Sequence, residues 1–126
     1  MIGRVAITDI FPTIYFGGEF TPVKAIVNEE ILVSATVAGE GHDYPTVSVI
    51  TRDSKGKELT RTSAIERNPG TDRYEATIAL PKLGHFTFEI EASIITQYRT
   101  VTTNSTKFPV YVERELALVG AWYEFF

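Results

Sequence analysis

The amino-acid sequence predicts an all-β fold, an immunoglobulin-like or fibronectin-like β-sandwich of about seven or eight antiparallel strands. Three observations carry this expectation. Apolar residues recur with a period of two, turn-forming residues separate the apolar runs, and no segment shows the 3.6-residue repeat of an amphipathic helix.

Strands are expected near residues 4–10, 22–27, 30–38, 46–52, 57–65, 73–79, 85–95 and 107–113. Val5 and Ile7 mark the first. The pair Gly17-Gly18 supplies a turn before the second. In the third, Ile31, Val33, Ala35 and Val37 alternate with Leu32, Ser34 and Thr36; in the fourth, Val47 and Val49 flank Ser48. The turn Asp53-Ser54-Lys55-Gly56 leads into the fifth. Asn68-Pro69-Gly70 precedes the sixth, where Tyr74, Ala76 and Ile78 share a face and Glu75 and Thr77 take the other. After Pro81-Lys82-Leu83-Gly84 the alternation is cleanest, with Phe86, Phe88, Ile90, Ala92 and Ile94 set against Thr87, Glu89, Glu91 and Ser93. Val110 and Val112 mark the last. Each is a half-buried strand with one face on a core. The Cys pair and core Trp of antibody domains are absent, so strand count and pattern alone carry the assignment.

Composition narrows the function classes. A chain of 126 residues is one domain's worth, and its folding buries roughly two-thirds of the unfolded area, enough for one core. With no cysteine there is no disulfide framework, thiolate nucleophile or zinc knuckle. A net charge of −4 without a basic run argues against nucleic acid as a partner. The start, Met1-Ile2-Gly3-Arg4, lacks an apolar signal region, and no run approaches the ~20 apolar residues of a membrane helix. A cytoplasmic location, with no membrane partner and no cofactor, is therefore expected.

Residues 1–114 are expected to form the sandwich domain, and 115–126 a truncated junction to an absent domain. This final segment gathers Trp122, Tyr123, Phe125 and Phe126 within five positions, including the only tryptophan. It either folds back on the sandwich or packs against a partner, and the second is the expectation because exposed aromatic clusters mark interfaces.

Chemistry-bearing residues are sparse. Glu40-Gly41-His42-Asp43 is the most enzyme-like run, yet adjacent His42 and Asp43 point in different directions and no nearby Ser completes a nucleophile. His85 is expected at a strand end. The pairs Glu89 with Glu91 and Glu113 with Glu115 lie on polar strand faces, where water should solvate them. No His or carboxylate set has ligand spacing, and no glycine loop has the Lys-Ser/Thr of a phosphate cradle, so no catalytic or metal site is expected. Tyr15, Phe16, Tyr44 and Tyr98 are candidate sugar platforms if exposed, since aromatic faces stack on pyranose rings.

Beyond spacing, an ordered set of segments carries a resemblance. Gly3-Arg4-Val5, Asp9-Ile10, Pro12, Gly17-Gly18, Pro22-Val23-Lys24-Ala25, Ala35-Thr36-Val37, Glu40-Gly41-His42-Asp43, Asn68-Pro69-Gly70-Thr71-Asp72-Arg73-Tyr74 and Phe86-Thr87-Phe88-Glu89-Ile90-Glu91-Ala92 resemble the amino-terminal domain of bacterial glucan:maltose-1-phosphate maltosyltransferases, of the α-amylase superfamily. Phe108-Pro109-Val110-Tyr111-Val112-Glu113-Arg114 resembles that family's final strand, and Ala121-Trp122-Tyr123-Glu124-Phe125-Phe126 its entry into the catalytic barrel. Family members carry a helical insertion where this chain has only residues 93–107, with Thr102-Thr103-Asn104-Ser105-Thr106 bridging the gap. Either the insertion has been removed or this is a natural short form; removal is the expectation, because the chain also stops at a domain junction.

It further implies a parent enzyme that transfers maltosyl units from maltose-1-phosphate to an α-glucan with retention, through an aspartate nucleophile and a glutamate acid/base on the barrel. None of those residues falls in this sequence. This domain is then a non-catalytic scaffold and dimerisation domain, inactive by itself, whose partners are the parent's own barrel and a second subunit. A glucan-binding module and a free-standing immunoglobulin-like interaction domain are the alternatives.

Overall fold

The computed structural model describes residues 5–39, 44–95 and 99–114. These residues form eleven strands and no helix: β1 (Val5–Phe11), β2 (Ile14–Phe16), β3 (Glu19–Thr21), β4 (Val23–Ile26), β5 (Ile31–Gly39), β6 (Thr46–Asp53), β7 (Glu58–Glu66), β8 (Arg73–Ile78), β9 (Gly84–Ile95), β10 (Thr100–Asn104) and β11 (Phe108–Glu113). Every strand expected from the sequence is present. The additions are the short β2–β3 hairpin and β10. β10 reads Thr-Val-Thr-Thr-Asn, with too few apolar residues to show alternation, and lies mostly within the 102–106 segment expected to bridge a gap. It is instead laddered to β9 from Thr100↔Ile95 to Asn104↔Glu91.

The all-β class is as expected, but the strands do not divide into two separate sheets. Nine of them form one sheet in the order β1-β5-β8-β7-β6-β9-β11-β4, with β10 also on β9, and β2-β3 stands apart. The joint is β7. It pairs with β6 over most of its length and reaches β8 only at its end, through Ile65↔Glu75 and Glu66↔Tyr74. Strand twist accumulates across so many strands, and the sheet curls into a half-barrel in which β1 and β5 pack across the core against β9. Nor is the pairing wholly antiparallel. β4 runs parallel to β11, from Val23↔Val110 to Ile26↔Glu113.

The core is the inward parity of these strands. Val33, Ala35 and Val37 of β5, Val47 and Val49 of β6, Tyr74, Ala76 and Ile78 of β8, Phe86 to Ile94 on alternate positions of β9, and Val110 and Val112 of β11 form one buried cluster. Thr51 is fully buried on the same parity, and its hydroxyl hydrogen-bonds to that of the exposed Thr60. That satisfies the Thr51 hydroxyl, which would otherwise cost free energy to bury. Burial raises the Tyr74 phenol above its ordinary pKa, helped by the nearby carboxylates of Glu66 and Asp72.

Two buried residues, Ile50 and Glu89, break the alternation. Ile50 has the outward parity of β6, opposite Arg61 on β7 and Glu89 on β9, yet it is fully buried and lies outside the core cluster. Its directly opposed neighbours on that face, Arg61 and Glu89, are both ion-paired. Ile50→Ala is therefore expected to cost about 2–5 kcal/mol in urea unfolding, as a core substitution does. A cost below about 0.5 kcal/mol, the range of surface substitutions, would contradict this burial.

Candidate functional site

The most exposed apolar feature is the β2–β3 hairpin, in the crossover from β1 to β4. Phe16 pairs with Glu19, leaving a two-residue loop of Gly17 and Gly18. Both have positive φ, +66° and +85°. A tight two-residue hairpin turn that follows strand twist requires this, and glycine supplies it without steric cost. At the base of the crossover, the Thr13 hydroxyl donates to the Ile10 carbonyl.

An aromatic chain anchors the hairpin. Tyr15 meets Phe20 edge-on at 5.0 Å, Phe20 meets Phe108 edge-on at 4.9 Å, and Phe108 lies 5.4 Å from Phe88 in the core. Each such pair adds about 0.5–1.5 kcal/mol beyond area burial. The hairpin is thus held against the sheet through one face. Phe16, adjacent to Tyr15, has the opposite strand parity and is 77% exposed; Phe11 and Ile14 nearby are also exposed. The result is an apolar patch on a hairpin joined to the core by aromatic contacts.

The sequence-predicted sites fall unevenly around this patch. Tyr15 and Phe16 belong to it, on opposite parities of one strand. Tyr44 is 83% exposed but stands on the separate β5–β6 connection. Tyr98, His42, Asp43, Trp122, Tyr123, Phe125 and Phe126 lie outside the described residues, as does the expected junction at 115–126. His85 is exposed near the start of β9, its ring 4.7 Å from that of Tyr111. Sequence reading missed Phe11, Ile14 and Phe20 as parts of the patch. Their proximity to Gly17-Gly18 was the available signal.

The expectation for Glu89 and Glu91 needs correction. They share the outer sheet face, but Glu89 is only 4% exposed rather than solvated. Arg52 donates to Glu89, Arg61 donates to Glu91 and Glu58, and the Asn104 amide donates to both Glu89 and Glu91 at 3.1 and 3.2 Å. The side-chain hydrogen bond from Arg61 holds the Glu58 carboxyl below its ordinary pKa. Hydrogen bonds to Glu89, and to Glu58 and then Glu91, raise the Arg52 and Arg61 guanidinium pKa values. Asp53 is lowered as well, by the backbone N–H of Lys57 first and that of Lys55 second. The carboxylates are committed to arginine, amide and backbone donors. Among the described residues no three His, Cys, Asp or Glu side chains are grouped to hold a metal ion.

These features define a class: an all-β domain built on one curled sheet, with an apolar hairpin as its main surface feature. A family model described as alpha-1,4-glucan:maltose-1-phosphate maltosyltransferase, domain N/S, matches residues 3–94, and the chain belongs to that family. Alpha-1,4-glucan:maltose-1-phosphate maltosyltransferase 1 of Streptomyces coelicolor is 37% identical over 92 residues, 73% of this chain and 13% of that protein. The corresponding protein of Corynebacterium pseudotuberculosis is 35% identical over 92 residues, with the same coverage. The matched stretch thus spans about an eighth of these relatives, and β10 and β11 lie beyond the family match.

The depressed carboxyls set an acid limit. A carboxyl whose folded pKa is below its unfolded value stabilises the fold above the ordinary carboxylate pKa, and this contribution is lost as pH falls through the folded value. The destabilisation of Asp53→Ala relative to the native chain, read from urea midpoints, is expected to be larger at about pH 7 than at about pH 3. Equal destabilisation at both would contradict the assigned hydrogen bonds.

Proposed function

We propose that this chain is a non-catalytic, amino-terminal scaffold domain of a maltosyltransferase that extends α-glucans from maltose-1-phosphate, and that the β2–β3 hairpin is the surface it presents to the rest of that enzyme. The observation that carries the reading is the exposed face of the hairpin, with Phe11, Ile14 and Phe16, joined to the core by the Tyr15–Phe20–Phe108–Phe88 chain. An exposed apolar patch of this kind marks an interface.

In this reading the chemistry belongs to a barrel elsewhere in the parent, which is cytoplasmic and homodimeric. The fold is of immunoglobulin type. β1-β5-β8 stand for the A, B and E strands, β6-β9-β11 for C, F and G, and β7 bridges the two layers. Exposure of Tyr15, Phe16 and Tyr44 supports a second reading, glucan binding by aromatic stacking.

Mixed with maltose-1-phosphate and glycogen, the 126-residue chain is expected to release no phosphate above background; release would overturn the non-catalytic assignment. Phe16→Asp is expected to weaken the assembled parent enzyme by about 2 kcal/mol or more, as loss of a buried aromatic anchor does, while leaving the thermal midpoint of the isolated domain nearly unchanged. Equal effects on both would remove the hairpin as an interface. Titration with maltoheptaose separates the second reading, which requires chemical-shift changes at Tyr15, Phe16 or Tyr44.

A further inference from the structure

An apolar cleft opens where β7 and β8 part. The two strands pair only at Ile65↔Glu75 and Glu66↔Tyr74. The same register carried on would set Thr60 opposite Leu80 and Leu59 opposite Pro81, but β7 stays with β6 down to Thr51↔Thr60, and the strands diverge. Between them lies a cleft of about 310 Å³, walled by Leu59, Ala79, Leu80, Pro81 and Phe86. A bulge shapes its outer wall. The β6–β7 register shifts between Thr51↔Thr60 and Arg52↔Glu58, which leaves Leu59 as the extra residue with no partner on β6, and a bulge re-aims the side chain it carries. Leu59 is 42% exposed, whereas Leu80 and Phe86 belong to the buried core, so the cleft leads from solvent down to core side chains.

Asp53, Thr60 and Lys82 complete the lining, and two of these polar side chains are already engaged. The Asp53 carboxylate accepts the N–H groups of Lys55 and Lys57, both at 2.9 Å, and the Thr60 hydroxyl is hydrogen-bonded to that of Thr51. Lys82 is exposed and, among the described residues, takes part in no ion pair. Its ammonium is the uncommitted polar side-chain group of the lining. Apolar walls with a single polar group to orient the ligand are the makings of a small-molecule site. We propose that the cleft binds a short aliphatic carboxylate, its hydrocarbon chain lying between Leu59 and Leu80 against Phe86 and its carboxylate meeting the Lys82 ammonium. Size limits the chain: 310 Å³ is about twice the roughly 150 Å³ that admits one benzene molecule, which leaves room for about eight carbon atoms. A monoanion suits the site better than a phosphate, since one ammonium faces it and the Asp53 carboxylate stands in the same lining. A polyhydroxylated ligand is disfavoured, because the apolar walls give its buried hydroxyls no side-chain partner.

The cleft is separate from the hairpin, and ligand binding is read on the 126-residue chain alone, so failure here would leave the scaffold reading intact. In a titration with octanoate, the backbone amide resonances of Leu59, Ala79 and Lys82 are expected to shift saturably, with a Kd of about 1 mM or tighter, while those of Phe16 and Tyr44 stay in place. Octan-1-ol should bind about threefold or more weakly for want of the charge, and octylamine more weakly still. Lys82→Glu, in the exposed loop, should weaken octanoate about fivefold or more and leave octan-1-ol unchanged. Ala79→Leu, which fills the cleft from an exposed position, and Leu59→Asp, at a half-exposed one, should abolish binding of both while far-UV circular dichroism stays native. The absence of a saturable shift by about 10 mM octanoate, tenfold past the expected affinity, overturns the proposal. So do shifts confined to the hairpin, octylamine binding as tightly as octanoate, or an affinity that neither Ala79→Leu nor Leu59→Asp changes.

Discussion

The twelve residues of β9 have strand partners along both edges, β6 on one side and β11 followed by β10 on the other. A central strand of that length must satisfy backbone donors and acceptors on both sides, since an unpaired buried amide or carbonyl is costly. Where β10 gives way to β11, the ladder is kept by side-chain and backbone substitutes. The Ser105 hydroxyl accepts the Ile90 N–H at 2.9 Å, and the Ser105 N–H donates to the Ile90 carbonyl at 2.8 Å. The inward face of β9 then supplies Phe86, Phe88, Ile90, Ala92 and Ile94 to the core, while its outward face supplies Glu89 and Glu91 to the ion-pair lattice.

Both surface features follow from that strand. The aromatic chain from the hairpin ends on Phe88, so a patch presented to the outside is continuous with the largest fully buried side chain of the core. The outer lattice is similarly fixed: Arg52, Arg61 and Asn104 converge on Glu89 and Glu91 from three different strands. Buried charges of this kind contribute less to net stability than their number suggests, because desolvation offsets attraction. In this sheet they link β6, β7, β9 and β10 across the outer face.

Membership in the maltosyltransferase N/S domain family was legible from the ordered segments between residues 3 and 92, and the family match covers the same stretch. The candidate surface was only half legible. Tyr15 and Phe16 were singled out as aromatics beside a Gly-Gly turn, but the pairing that sends Tyr15 toward Phe20 and frees Phe16 depends on hairpin register. Nothing local specifies that Phe20 packs on Phe108, which is far along the chain and not adjacent in any repeat.

Period two, β-branched content and turn residues determined by themselves eight of the eleven strands and which of their side chains face inward, because side-chain direction in a strand is set by parity alone. They therefore placed Val33, Val49, Ile78, Phe88 and Val110 in the core without reference to any neighbour. Which strand lies beside which is a different kind of fact. That β7 joins two layers into one curled sheet, that Thr-rich β10 extends the β11 edge, and that outward-facing Ile50 and Glu89 are buried were decided only in the tertiary structure. Edge pairing and burial depend on residues brought together from distant parts of the chain, and parity carries no information about those partners.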